Sequence, residues 1–364
     1  MIARMLLAVV MTALAAPALA GDWPRGSLAE AGLPADTGER LDAMVAAGDV
    51  ENLHAVIVAR RGKLVLERYY AGPDQKYGRD LGIVRFDAKT LHDVRSISKS
   101  IVGLLYGIAL ADGKVPAPDT PLVDGFRGVG DLARDEARRR IRVENALTMT
   151  LGFEWNERLP YTSRANSEIA MEYAPDRVRY VLSRPIVSPP GETWTYSGGS
   201  SALLGRLIEG GTGQSLLAYG RERLFGPLGI TDVTWSNGSD GRPAAASGLR
   251  MRPLDLARIG QMVLDGGRWE GRQVVPADWL AESFKTRARV NERLTYGYQW
   301  WLGGGWPGGL NFVGGFGNGG QRLFVVPKRD LVVVAFAGNY NRRAASRSTD
   351  KVMNELIMAP LIEE

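Results

Sequence analysis

The 364-residue chain carries 45 Lys and Arg against 40 Asp and Glu, a net charge of +5 with a pI near 9.4; 45% apolar and 23% charged content suits a globular protein with a large core. It has no cysteine, which excludes thiol nucleophiles, disulfides, cysteine metal sites and lipoprotein anchoring, and only two histidines, His54 and His92. The arginines are scattered apart from Arg138-Arg139-Arg140, so the charge reads as a solvated face and not as a nucleic-acid site.

Residues 1–20 read as an export signal outside the fold. Arg4 gives the positive start, Met5 to Ala16 an apolar run short for a membrane span, and Ala18-Leu19-Ala20 a cleavage site that leaves Gly21 as the new terminus. Thr37 to Ala47 has helical spacing. Leu53 to Arg60 and Lys63 to Tyr70 read as strands joined by a hairpin at Arg61-Gly62. Residues 71–92 are a loop-rich approach to a helix that begins near Ser96, is soon apolar on almost every face, and ends near Asp112-Gly113.

Helices are expected over Val143–Met149, Val178–Leu182, Ser200–Glu209, Ser215–Leu224 and Pro253–Leu264, with a fresh start at Pro276. After residue 290 the texture returns to strand: Tyr296–Leu302, Gln321–Val326 and Leu331–Ala337, the last two joined by a tight turn at Lys328-Arg329-Asp330. A helix over Ser346–Met358 closes the chain. The expected architecture is α/β (α+β): a five-stranded antiparallel sheet covered by the terminal helices, with the helical middle inserted.

Four stretches carry candidate chemistry. Ser96-Ile97-Ser98-Lys99 puts a serine at a helix mouth and a lysine on the same face one turn later. Burial and the helix dipole both penalise the ammonium form, so Lys99 is a base for a Ser96 nucleophile, unless the pair is a helix cap and a snorkelling surface lysine. Ser348-Thr349-Asp350-Lys351 repeats the spacing, in an Arg-rich stretch that reads as solvated surface. Tyr196, in a turn-rich loop before a helix, is a proton relay or a core aromatic. Gly314-Gly315-Phe316-Gly317-Asn318-Gly319-Gly320-Gln321 allows close backbone approach and free N–H groups, or is a mobile hairpin tip. A Ser-His-Asp triad or histidine zinc site has only His54 and His92 to draw on, and neither is well placed; lysine and tyrosine must move the protons.

In order and spacing these motifs resemble the serine β-lactamase and penicillin-binding-protein superfamily, most of all the class C-like (family VIII-type) esterases and the aminohexanoate-dimer (nylon-oligomer) hydrolases. Supporting runs are Asp93 to Ser100, Leu147 to Trp155, Pro190-Gly191 before Tyr196-Ser197, Pro227 to Ile230, Asp255 to Gly260, and Gly319-Gly320-Gln321 before the strand ending at Pro327. The resemblance implies one β-lactamase-like domain over 21–364, with a sheet lobe from about 37–92 and 286–364 and a helical lobe from about 93–285. It implies Ser96 as acylated nucleophile, Lys99 as its base and Tyr196 as relay. It implies an oxyanion hole from the N–H groups of Ser96 and Asn318, beside Gly317, and Tyr161 as a substrate contact. No metal or cofactor is implied, and the partner is a small-molecule ester or amide in the periplasm or outside the cell. A D-alanyl-D-alanine carboxypeptidase, a weak β-lactamase or a silent peptide-binding module are the alternatives.

Two positions depart from the family pattern. The third motif, which usually starts with lysine, histidine or tryptophan, reads Gly315-Phe316-Gly317, and the asparagine two residues after Tyr196 is Gly198. Both remove groups that meet substrate carboxylates and acylamides. The sequence therefore predicts short-chain esters first, and linear amides after them, over β-lactams. Arg250 and Arg322 are the nearest replacements for the missing charge. Trp155, Trp194, Phe316 and Trp300-Trp301 are available to line an apolar pocket.

Overall fold

Leu53–Arg60 is buried at all eight positions, because it lies inside a sheet covered on both faces. Its side chains alternate between two cores: Ala55, Ile57 and Ala59 point into one, Val56 and Val58 into the other. The neighbouring strand does the same, with Val332, Val334 and Phe336 on the first side and Leu331, Val333 and Ala335 on the second. Their antiparallel register pairs Val56 with Ala335 and Ile57 with Val334. The computed structural model describes residues 23–362; the expected signal over 1–20 and its cleavage point lie outside them.

The sheet has eight strands, not five. Their order is Ala288–Arg289, Leu294–Tyr296, Trp301–Trp306, Leu310–Gly317, Gln321–Val326, Leu331–Ala337, Leu53–Arg60 and Lys63–Tyr69, antiparallel throughout. The expected strand Tyr296–Leu302 is two strands, broken where Gln299 takes a φ of 64° and its side chain bonds into the interior. The glycine-rich run is itself a strand up to Gly317, because both neighbours supply hydrogen bonds that outweigh its poor strand propensity. Residues 71–92 are also more regular than expected: Ala71–Lys76 and Arg79–Arg85 form an exposed hairpin, and His92–Asp93 joins a small sheet with Leu249–Met251.

One face of the sheet is covered by Thr37–Ala46 and by the last helical segment, which runs on to Ile362 with a widened turn over Val352–Met358. The other face receives Ile97–Ala111 and Pro253–Leu264, with Gly198–Thr212 packed behind. Ile97–Ala111 is buried over its first thirteen residues, which fixes the position of everything at its N-terminus. Gly107 lets it lie against Trp279, whose indole would stand 2.0 Å from an added Cβ. No helix among the described residues is long and apolar enough to cross a membrane.

Candidate active site

Ser96 precedes the first turn of Ile97–Ala111 and follows Arg95, whose φ of 50° turns the chain sharply out of the His92–Asp93 strand. Arg95 is held there by the Asp93 carboxylate at 3.2 Å and by the ring of Tyr340, 4.6 Å from its guanidinium. The Ser96 side chain does not cap the helix. Its Oγ accepts from Lys99 Nζ at 3.2 Å and lies near the Tyr196 hydroxyl. Lys99 does not snorkel; it is 1% exposed. Both bland readings of the motif therefore fail on geometry.

Lys99 departs from the expected neutral amine. Its three donors go to Ser96 Oγ, to Glu168 Oε2 at 3.2 Å and to the Ala246 carbonyl at 3.0 Å, which is the full capacity of an ammonium. Burial alone pulls this amine down, but Glu168, with Tyr196 and Glu157 acting in the same direction, outweighs burial and holds Lys99 above its usual range. Tyr196 is raised, by burial first, so its hydroxyl keeps its proton. Its ring lies 4.9 Å from Lys99 Nζ and packs on Trp301.

Two carboxylates complete the site, and neither was expected from the sequence. Glu168 is 2% exposed, and its Oε1 accepts from Ser247 Oγ at 2.8 Å. Glu157 accepts from Trp155 Nε1 at 2.6 Å, from the Tyr161 hydroxyl at 2.9 Å and from Gly198 N–H at 2.5 Å. Burial and the Glu168 charge push Glu157 up to about 8. Glu168 stands on a short helix, Ser167–Glu172, whose cap is Asn166; an asparagine ahead of Ser-Glu is a helix-start signal that the sequence did contain.

The sequence-predicted residues divide. Ser96, Lys99 and Tyr196 come together. Tyr161 and Asn318 line the same cleft of about 700 Å³ as Ser96 and Glu168. Neither Ser96 N–H nor Asn318 N–H is taken by another protein group among the described residues, while the Asn318 side chain is tied to Asn341. Gly315 and Gly317 allow close approach: an added Cβ would stand 3.0 Å from Ile97 and 2.6 Å from the Val94 carbonyl. Gly198 is not a gap where a polar group is lost. An added Cβ would stand 2.4 Å from Glu168 Oε2, so the carboxylate fills that space.

Two expectations are corrected, and the two histidines are located. The tryptophans and Phe316 do not line the cleft: Trp300 is fully buried, and Trp194, Trp301 and Phe316 form an aromatic stack behind Tyr196. Arg250 is buried on Asp93 at 2.5 Å and Arg322 pairs with Asp350 at 2.8 Å; the cations facing the cleft are Arg95 and Arg164, so it does not lack positive charge. The histidines are not apart. His54 Nδ1 and His92 Nε2 lie 2.9 Å from each other, with Asp74 3.7 Å from His92. With Asp74 they are the one group among the described residues that brings three side chains able to ligate a metal together, within 4.8 Å, and none of the three lines the Ser96 cleft. Burial pushes His54 down to about 3 and His92 to about 4.

The Beta-lactamase family profile matches residues 42–352. The chain belongs to that family. The 6-aminohexanoate-dimer hydrolase of Paenarthrobacter ureafaciens is 25% identical over 332 residues, covering 83% of this chain and 78% of that protein. The monacolin J acid methylbutanoyltransferase of Aspergillus terreus is 31% identical over 142 residues, 38% of this chain; this chain spans only 30% of that protein's length. Among solved structures, EstCE1, a hydrolase with promiscuous acyltransferase activity, superposes with a TM-score of 0.71 at 13% identity, covering 89% of this chain and 98% of its own. A penicillin-binding protein from Bacillus halodurans superposes at 0.66 and 15%, covering 87% and 100%. The chain is thus a β-lactamase-family member whose relatives include a 6-aminohexanoate-dimer hydrolase and a lovastatin esterase.

Proposed function

We propose that this family member is an exported enzyme that cleaves an ester or an amide through an acyl-enzyme on Ser96. One observation carries the reading: Ser96 lines the cleft, caps nothing, and its Oγ is bonded to Lys99 with Tyr196 close by. Ser96 Oγ attacks the substrate carbonyl carbon, and its proton leaves through Lys99 Nζ, 3.2 Å away. The carbonyl oxygen, now anionic, is received by the unspent N–H groups of Ser96 and Asn318. The leaving group departs with the Tyr196 proton. Water then attacks the ester, giving its proton to the Tyr196 oxygen, and Ser96 regains its own as the acid leaves.

A fluorophosphonate label followed by peptide mapping tests the nucleophile. An adduct on Ser96 is expected; a silent peptide-binding module takes no label, and an adduct elsewhere overturns the reading. A panel of p-nitrophenyl esters, linear amides, nitrocefin and D-Ala-D-Ala peptides then ranks the substrates. Because Arg95 and Arg164 face the cleft, carboxylate-bearing substrates belong in that panel on equal terms. The likeness to EstCE1 and to the methylbutanoyltransferase favours a second acceptor, an alcohol in place of water, and a transester product in alcohol-containing assays is its signature. Export rests on residues 1–20; N-terminal sequencing of secreted protein tests it, and an intact Met1 overturns it.

A further inference from the structure

Lys99 is the nearest base to Ser96 and, as it stands, has no lone pair. All three of its protons are donated, and an ammonium cannot accept a fourth. Of its three acceptors, Ala246 O is a carbonyl and Ser96 Oγ is the group to be deprotonated. Glu168 Oε2 is the third, and it alone can take a proton from Lys99 and hold it. Resting on the Ser96 reading above, we propose that Glu168 is the positioning residue through which Lys99 becomes a base. As substrate binds, an Nζ proton passes to Glu168 Oε2, leaving a neutral amine facing Ser96. The amine takes the Ser96 proton as Oγ bonds to the carbonyl carbon, so Lys99 is again an ammonium and Glu168 a carboxylic acid. In deacylation the proton on Glu168 returns through Lys99 to Ser96 Oγ. No proton is gained or lost over the cycle.

The site is built for this exchange. Lys99 and Glu168 are 1% and 2% exposed, and in such a medium a neutral amine beside a neutral acid competes with the ion pair far better than it does in water. Glu168 is fixed at both ends: Asn166 Oδ1 accepts its backbone N–H at 2.9 Å, and Ser247 bonds its second oxygen. It reaches Lys99 only because residue 198 has no side chain, since a Cβ there would stand 2.4 Å from Oε2 and 2.8 Å from Cδ. Gly198 and Glu168 therefore work as one unit. The titratable groups facing the pair are Glu157 and Tyr196 around Lys99, and Glu157, Glu172, Tyr77 and Tyr161 around Glu168; Glu172 is itself tied to Arg177.

The test is the pH profile of kcat/KM with a p-nitrophenyl ester, beside fluorophosphonate labelling of the same samples. Glu168→Gln keeps the shape, can still accept from Lys99 with its one amide oxygen while its NH2 donates to Ser247 Oγ, and takes no proton, so Lys99 must lose its own to solvent before it can act. The expected result is a fall of roughly 100-fold at neutral pH, partial recovery in alkali, and an acidic limb displaced upward by about one pH unit or more. Glu168→Asp, which keeps a carboxylate, should regain part of the rate without that displacement. Gly198→Ala, which pushes the carboxylate aside, should move the limb in the same sense, and should cost little more when added to Glu168→Gln. A loss in Glu168→Gln that is the same at every pH, or additive losses in the double variant, overturns the role of Glu168. If the wild type fails to label at Ser96, the underlying reading falls instead, so the two failures are told apart.

Discussion

Ser96 and Lys99 stand at the mouth of one helix, and Ser348 and Lys351 stand three residues apart in another. Local geometry treats the pairs alike. Their surroundings do not. Ser96 lines a cleft and its Oγ accepts from a buried lysine with a tyrosine close by, whereas Ser348 Oγ donates to the Glu51 carbonyl at 2.8 Å and ties the C-terminal helix to the loop before the sheet. Lys99 is buried on Glu168; Lys351 is half-buried and forms no ion pair among the described residues. Ser348 is thus less solvated than its sequence context suggested, at 5% exposed, and still has no chemistry. The contrast teaches that helix spacing supplies only adjacency. A carboxylate, a tyrosine and an open face, all brought from elsewhere in the chain, turn adjacency into a site.

The widest separation between the two copies is expected in turnover. Ser96→Ala should abolish ester hydrolysis and Lys99→Ala should cost nearly as much, because the two act as a unit, while Ser348→Ala and Lys351→Ala should leave kcat/KM within about twofold. Comparable losses from both pairs would erase the distinction. Next in size is Tyr196→Phe, which removes the relay but leaves Ser96 and Lys99 in contact. A drop of roughly 10²–10⁴-fold in amide turnover is expected, with slow acylation by activated esters persisting in a burst assay. Unchanged amide turnover would return Tyr196 to its aromatic stack as a packing residue.

Acid should also act on the two regions unequally. His54 and His92 support the strand that leads into Arg95 and Ser96, and both are held neutral by burial, with folded values near 3 and 4 against 6.5. Because the folded values lie below the unfolded one, their contribution is fully present above pH 6.5 and is lost as pH falls from there toward 4. The slope is about 1.4 kcal/mol per pH unit for each histidine. Urea unfolding at pH 7, 6, 5 and 4 should show this, and a His54→Asn, His92→Asn variant should flatten the curve in that window. A curve of equal steepness in the variant would assign the acid sensitivity to other groups. The smallest effect is on stability alone: Ser348→Ala removes one part-buried hydrogen bond to the Glu51 carbonyl and should cost about 1 kcal/mol in the same titration.

Much of the fold was legible because its signals are local. Pro253–Leu264 appears over the expected residues, since a proline start and one apolar face suffice to set it. Leu53–Arg60 and Leu331–Ala337 appear because continuous apolar, β-branched runs have few other uses. The short edge strands at 288–289 and 294–296 were not legible, because two or three residues carry no period and pair only when a neighbouring strand is already there. The glycine strand over Leu310–Gly317 was missed for a related reason: its composition argues for a turn, and only two flanking partners make it a strand.

The site divides along the same line. The sequence by itself determined that Ser96 and Lys99 share a helix face, that Tyr196 sits at a turn-to-helix junction, and that the glycines around 315 and 317 allow close backbone approach. It also determined, by having no cysteine, that thiol chemistry and disulfides are excluded. Only the tertiary structure decided the charge on that lysine. Glu168 is sixty-nine residues from Lys99 in sequence, and nothing in its own neighbourhood says that it will be buried against an amine. Nor does Gly198, read as a missing asparagine, announce that its absent side chain is the space the carboxylate occupies. Propensity and spacing act over a few residues, whereas the protonation of a buried group is set by whichever charges the fold places within a few ångströms, and those come from anywhere in the chain.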